Sequence, residues 1–379
     1  MRLVADVGQG SLAKAGEELC GDRVEVVRDL HQTTVVLSDG LGSGVKANIL
    51  ATLTAKIAAG LLARGVSLEE VIGTIAQTLP VCRERHLAYS TLAVLEVRTS
   101  GEARVMLLDS PPVFLVRRDK VVGFPTRTRE VAGRRVEEGA LELVPGDVLV
   151  LVSDGVLHAG IGGLLPLGLG EEGLAKHLSE LVPRTPDAGR LAQSILDLCN
   201  AYYTLAPGDD TTVVVLRVRE PRFLTLFTGP PRSPAADAET VDRFMRLPGK
   251  KVVCGGTTAK IVARELGRPL TVELTYDDPE IPPCGHIPGI DLVTEGMLTL
   301  NRALSYLRTG EIPDRADGAS RVARLLAEAD QIKIVAGLSI NPAHQNPDLP
   351  PGLNLRAGTV EKLAAELKAQ GRVVQVEWC

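Results

Sequence analysis

The sequence predicts an α/β chain of two domains. The first is an α/β sandwich with mainly antiparallel sheets, the second an α/β domain with a mostly parallel sheet. Three observations carry this. The chain has 379 residues, too many for one ordinary core. Its first half groups apolar strand runs around two helical stretches and follows them with two more helices, whereas its second half alternates strand and helix. Between them, "DDTTVVVLRVREPR" runs from a strand into a charged, proline-containing link near Glu220. The domains are therefore 1–218 and 219–379.

"DRVEVVRD" and "TTVVLSD", separated by "LHQ", read as a hairpin. A helix is expected over Val45–Arg64, with Ile49, Leu53, Ile57 and Leu61 as its core-facing stripe and Gly65 as its stop. Ser67 and Glu70 have the spacing of a capping box and open a second helix ending at Pro80. "STLAVLEV", "ARVMLLDS", "VFLVRRDKVVGF" and "DVLVLVSDG" read as strands. "EEGLAKHLSELV" and "DAGRLAQSILDLCNAYY" read as helices, and "TTVVVLRV" closes the domain. In the second half, "FLTLFTGPP", "KKVVCGGTTAKIVARELG", "LTVELTY", "IDLVTEGMLTLNRALSYL", "QIKIVAGLSINPA" and "RVVQVEW" supply the strands, with helical patterns between most of them.

Composition narrows the function classes. A net charge of −5 argues against a nucleic-acid binder. No apolar run is read as membrane-spanning, and "MRLVADVGQG" lacks the layout of a signal peptide. The six cysteines form no CxxC pair and read as reduced thiols of a cytoplasmic protein.

Two apolar strands end in the same words, "LSDG" at Asp39 and "VSDG" at Asp154. An aspartate at a strand end is ordinarily a turn residue. Here each has a counterpart. Asp22 begins the strand that pairs with the one ending at Asp39, so antiparallel pairing sets both at one edge. Asp209 and Asp210 begin the strand expected beside the one ending at Asp154. Carboxylates crowded across a sandwich repel one another and resist ionisation. A hard divalent cation removes that cost, and magnesium and manganese favour such oxygen ligands. Gly40 permits a sharp turn that offers its carbonyl. Two ions bridging a water would lower its pKa and aim it at a phosphorus centre. The rival use of "DGLGSG", a dinucleotide loop, lacks the third glycine where Val45 stands.

"CGDRVEVV", "LSDGLGSGVKA", "LVSDGV" and "GDDTTVVV", in this order, resemble the metal-dependent protein phosphatases of type 2C, and most closely their SpoIIE-like bacterial branch. The resemblance covers about residues 1–218. It implies a β-sandwich flanked by helices (αββα layers) that hydrolyses phosphoserine or phosphothreonine in a phosphoprotein, using two Mn2+ or Mg2+ ions. Carried over by motif position, Asp22, Asp39, Asp154 and Asp209 are metal-binding and act in catalysis through metal-bound water. Gly40 contributes its carbonyl and Asp210 assists. The early arginine that grips phosphate in many larger relatives has no counterpart here; Arg23 and Lys46 read as solvated charges. The helices at Val45–Arg64 and Ser67–Leu79 stand where related phosphatases carry a regulatory pair.

In the second domain, "CGGTTAK" offers Gly255, Gly256, Thr257 and Thr258 at a helix N-terminus, a seat for a small anionic ligand. Threonine capping with a glycine turn explains the same run equally well. Cys254, Cys284, His286 and His344 lie near loops but lack zinc spacing, and read as unrelated residues. Three function classes follow: a phosphoprotein phosphatase with a regulatory α/β domain, a catalytically weak phosphatase-like sensor of a small anion or nucleotide, and an interaction scaffold. The intact carboxylate set favours the first over the third. Neither nucleic acid nor a membrane is expected as a partner.

Overall fold

The computed structural model describes residues 2–78, 90–272, 282–339 and 355–379. The chain divides into two compact units, Met1–Glu220 and Pro221–Cys379.

The first unit runs β1 (Val4–Leu12), β2 (Asp22–Arg28), β3 (Gln32–Asp39), α1 (Gly44–Leu62), α2 (Leu68–Thr78), β4 (Leu92–Arg98), β5 (Glu102–Leu108), β6 (Phe114–Arg117), β7 (Lys120–Gly123), β8 (Arg127–Val131), β9 (Arg134–Glu142), β10 (Val148–Val152), α3 (Asp154–Leu157), α4 (Gly170–Leu181), α5 (Ala188–Tyr202) and β11 (Thr211–Arg219). Among the described residues these strands form two sheets, ordered β1-β11-β10-β6-β7 and β2-β3-β4-β5-β9-β8. Neighbouring strands in both are antiparallel.

Period-2 alternation builds the layers. Leu149 and Leu151 of β10 and Val214 and Leu216 of β11 meet Val35, Leu95 and Val105 of the other sheet between the two. On the outer face of the first sheet, Val150 and Val213 pack with Leu174, Leu191 and Ile195 of α4 and α5. On the outer face of the second, Val36, Val94 and Met106 pack with Ala55, Ala58, Val71 and Ile72 of α1 and α2. These are αββα layers.

Several elements depart from the expectation. Of the apolar stripe expected to bury α1, only Leu61 packs against the core, and the other three residues face out. Ile49, Leu53 and Ile57 are 52%, 52% and 38% exposed, whereas Ala47, Ala51, Ala55 and Ala58 are buried. Small alanines bring the helix axis close to the sheet, and the larger side chains are left on the far face. By length and composition α1 is also apolar enough to cross a membrane, contrary to the sequence reading, although its alanine face packs on a sheet. "VFLVRRDKVVGF" is a hairpin rather than one strand: Arg118 and Asp119 both take positive φ, 51° and 63°, as a two-residue hairpin turn requires. β1, β8 and β9 have no counterpart among the strands expected from the sequence. The capping box holds: Ser67 Oγ donates to Glu70 Oε2 at 2.8 Å, and Glu70 N to Ser67 Oγ at 3.3 Å. The expected end of that helix at Pro80 lies outside the described residues.

The second unit runs β12 (Phe223–Thr228), a 3-10 turn (Pro234–Ala236), α6 (Asp237–Arg246), β13 (Lys250–Cys254), α7 (Gly256–Leu266), β14 (Thr271–Val272), β15 (Gly285–His286), β16 (Leu292–Thr294), α8 (Met297–Thr309), α9 (Gly318–Glu328), β17 (Gln331–Ala336), α10 (Leu355–Ala369) and β18 (Val373–Trp378). Its sheet is ordered β14-β15-β16-β13-β12-β17-β18. The five strands from β16 to β18 are parallel, and the β14–β15 edge is antiparallel. Phe227, Val253 and Val335 pack with Phe244 and Val262 on one face. Leu226 and Ile334 pack with Leu304, Leu326 and Leu363 on the other. A parallel sheet covered by helices on both faces results.

Candidate metal centre

The register of β2 and β3 sets Asp22 directly opposite Asp39. The backbone of Asp39 is held by the next strand: its N–H donates to Thr91 Oγ1 at 3.2 Å, and its carbonyl accepts from Thr91 N and Ser90 Oγ at 2.8 and 3.0 Å. Gly40 has to be glycine, because a Cβ there would sit 2.2 Å from the Ala47 carbonyl oxygen where α1 passes.

The other sheet contributes the rest. Beyond the last β10–β11 pair, Ser153 N donates to Thr212 O at 3.0 Å, and Thr212 N to Ser153 Oγ at 2.8 Å. This double link fixes Asp154, the next residue, against the start of β11. A Cβ on Gly155 would meet the Asp210 carbonyl oxygen at 2.1 Å, so the two segments touch backbone to backbone. Asp209 Oδ1 accepts from Asp210 N at 3.0 Å, and Asp210 Oδ1 from Lys14 N at 3.0 Å.

Electrostatics ties the two sheet edges together. Burial pushes the Asp39 carboxyl up to about 9, with Asp22, Asp154 and Asp209 adding repulsion. Burial likewise raises Asp22 to about 6; Asp210 and Asp154 add to it, and the nearby Ser153 and Thr212 hydroxyls oppose it. Asp209 is raised by burial and by Asp154. The Ser153 and Thr212 hydroxyls stand near Asp22 without hydrogen-bond geometry, so that among the described residues both Asp22 carboxyl oxygens and Asp210 Oδ2 are buried without a hydrogen-bond partner. Buried acceptors without donors are costly, and a hard cation among oxygen ligands satisfies them. The donor set fits a divalent metal.

The carboxylates predicted from strand ends, Asp22, Asp39, Asp154, Asp209 and Asp210, are thus brought together, with Gly40 beside Asp39. Two residues escape the sequence reading. His158 Nδ1 lies 4.0 Å from Asp154 Oδ2, and Asp154, His158 and Asp209 present ligand atoms within 4.8 Å of one another. The available signal is the four-residue spacing from Asp154 to His158. Lys14 lies close enough to Asp209 to oppose the rise in its pKa, and it follows β1, a strand the sequence pattern hides. Arg23 is paired with Glu25 at 2.8 Å, and Lys46 is exposed.

In the second unit, Gly255 is the N-cap of α7, and Gly256, Thr257 and Thr258 form its first turn. Cys254 and Cys284 are buried and His286 is exposed. His344 lies outside the described residues. Cys20, Cys199, Cys254, Cys284 and Cys379 are free thiols.

Two antiparallel sheets stacked face to face, helices outside them, and carboxylates from both sheets at one edge define the fold of the PP2C-type phosphatase domains. The chain belongs to the SpoIIE family: the family model described as Stage II sporulation protein E (SpoIIE) matches residues 29–219, just over half the chain. Asp22 precedes the matched segment. Stage II sporulation protein E of Bacillus subtilis (strain 168) is 24% identical over 217 residues, 56% of this chain and 25% of that relative. The chain therefore spans a quarter of that protein's length. Among solved structures, the PP2C phosphatase domain with a regulatory-domain fragment of SpoIIE from Bacillus subtilis is 23% identical with a TM-score of 0.51, covering 57% of this chain and 64% of that one. The phosphatase domain of the same protein in a crystal form without domain swapping is 22% identical with a TM-score of 0.46, covering 58% and 94%.

Proposed function

We propose that this chain is a protein phosphatase that hydrolyses phosphoserine or phosphothreonine with two manganese or magnesium ions. The observation that carries the reading is the set of five carboxylates from two sheets, with the Asp22 oxygens buried and unpartnered among the described residues. Asp22, Asp39, Asp154 and Asp209 would hold the ions with the Gly40 carbonyl, and Asp210 would assist. When bound, the ions would supply a water of lowered pKa and would neutralise phosphoryl charge.

The protein's own residues then have defined tasks. Asp39 and Asp22 present negative charge from one sheet, and Asp154 and Asp209 from the other, where the Ser153–Thr212 link holds Asp154 against the start of β11. Lys14, beside Asp209, offers a cation toward phosphate oxygens on the same edge. His158, next to Asp154, is placed to carry a proton to a departing alkoxide. Membership of a phosphatase family supports a cytoplasmic signalling role, and the substrate is a phosphoprotein.

The test is hydrolysis of p-nitrophenyl phosphate and a phosphoserine peptide with manganese, magnesium or chelator. Activity with metal and loss with chelator are expected. Asp154→Asn should lower turnover by at least about a hundredfold, since it removes a charge that positions the reacting groups. Full activity of that variant at saturating manganese would overturn the site.

A further inference from the structure

The parallel strand order β16-β13-β12-β17-β18 reverses between β12 and β17, and ligands of such sheets ordinarily bind in the crevice at that switch point. Here that crevice is filled by the protein. A Cβ on Gly337 would meet the Pro230 carbonyl oxygen at 2.0 Å. The Arg356 guanidinium lies against Gly229 and donates to the Gly337 and Ser339 carbonyls at 3.1 and 2.9 Å.

Two helix N-termini lie on the β13 side of the sheet. β13 and β16 are adjacent and parallel, ending together at Cys254 and Thr294. Each leads into a helix through a glycine N-cap, Gly255 for α7 and Gly296 for α8, and neither helix has a side-chain cap. The two caps touch: a Cβ on Gly296 would lie 3.4 Å from Gly255 Cα. Gly255 spends its own N–H on Thr294 O at 2.9 Å. The first helical bonds are Ala259 N to Gly255 O and Leu300 N to Gly296 O, so the amides before them precede the ladder in both helices.

The independent observation is in the side chains. Thr258 and Thr299 stand at the same third position of α7 and α8. They are 1% and 0% exposed, and among the described residues neither Oγ1 has a hydrogen-bond partner. Thr258 Oγ1 points back at the cap, 3.1 Å from where a Gly255 Cβ would be. A buried hydroxyl without a partner is unfavourable; two at equivalent positions, under two converging helix N-termini, call for an acceptor. Glu295, the residue before the Gly296 cap, holds a buried carboxyl oxygen, Oε2, that also lacks a partner among the described residues and calls for a donor.

We propose that the β13–α7 and β16–α8 turns form one binding site for a small phosphate ester bearing a free hydroxyl, such as a sugar phosphate. The phosphate is held by the amides of both first turns and by Thr258 and Thr299. Its oxygens accept more hydrogen bonds than a carboxylate can, and both helix dipoles favour its charge. The hydroxyl of the ligand donates to Glu295, which explains an acidic group beside an anion seat.

The experiment is calorimetric titration of the full-length protein with ribose 5-phosphate, inorganic phosphate and ribose, in chelator so that the metal centre contributes nothing. Ribose 5-phosphate should bind saturably and more tightly than phosphate, and ribose should not bind. Replacing both threonines, Thr258→Val with Thr299→Val, should weaken ribose 5-phosphate by at least about tenfold, the worth of one or two hydrogen bonds to a charged group. The same double variant should melt no lower than the parent without ligand, because each change is isosteric and removes an unpartnered hydroxyl. Glu295→Gln should narrow the preference for ribose 5-phosphate over phosphate by weakening the former alone. Absence of saturable binding, or binding unchanged in the threonine variant, overturns the proposal. An equal loss of both anions in Glu295→Gln overturns the assigned role of that residue.

Discussion

At the scale of single residues, Asp39 shows what the acidic cluster costs the protein without metal. Its carboxyl is pushed up to about 9, by burial first and then by Asp22, Asp154 and Asp209. The folded chain therefore holds a proton that the unfolded chain releases in the ordinary carboxylate range. A raised carboxyl contributes stability that is fully present below its unfolded pKa and is lost as pH rises through the folded value. In chelator, the melting temperature of the first unit should fall as pH rises from about 5 to about 9 by this linkage. Asn at position 39 cannot ionise and escapes the loss. Even a tenfold difference in proton affinity between the folded and unfolded chain is worth about 1.4 kcal/mol, so Asp39→Asn should melt at least about 2–4 °C above the parent at pH 8 in chelator. With saturating manganese the order should reverse, because the parent gains a ligand contact that the variant lacks. A variant that melts lower than the parent in chelator would show that Asp39 is ionised and satisfied without metal.

At the scale of elements, α1 shows where periodicity misleads. The sequence has two candidate faces with the same four-residue spacing: Ile49, Leu53 and Ile57, and Ala47, Ala51 and Ala55. Transfer energy alone favours burying the larger set, but the backbone of this helix lies too close to the sheet, where Ala47 O already crowds Gly40. Polar replacement of the exposed pair, Ile49→Gln with Leu53→Gln, should change stability by less than about 1 kcal/mol, as for surface positions of similar helix propensity. Ala55→Leu should cost about 1–3 kcal/mol by overpacking. Urea denaturation distinguishes the two; a large loss from the glutamine pair would restore the original stripe. Other elements are legible because one force dominates. β10 and β11 are runs of Val and Leu buried on both faces, and the capping box is local chemistry. β1 is hidden because Gly8 and Gly10 weaken its pattern; a Cβ on Gly8 would strike Ala188 at the start of α5 at 2.2 Å. β8 and β9 are hidden because much of their surface is exposed and carries Arg and Glu. The site is legible for a related reason. Its aspartates sit at strand ends whose pairing can be read, whereas Lys14 and Thr299 depend on neighbours that only tertiary packing supplies.

At the scale of the whole molecule, the question is whether each unit carries its own stability. The three clusters of the first unit draw on residues from Leu3 to Val218, and the two of the second on residues from Leu224 to Cys379. The connection has a sharp boundary. Arg219 reaches back to Asp6 through paired contacts of 2.6 and 2.9 Å, tying the end of β11 to β1. Arg222 already belongs to the second unit: its N–H donates to Asp330 Oδ2 at 2.6 Å, and its carbonyl accepts from Asp330 N and Gln331 N. The cut that respects both sets of bonds falls after Glu220, two residues beyond the boundary at 218 read from the sequence. The proposed metal ligands all precede it, and the length is ample for an independent core. A chain ending at Glu220 should therefore unfold cooperatively in urea, gain stability from manganese, and hydrolyse p-nitrophenyl phosphate at a rate within about threefold of the full protein. The threefold margin corresponds to less than about 1 kcal/mol in the barrier. A truncated chain without a cooperative transition would show instead that the first unit needs the second in order to fold.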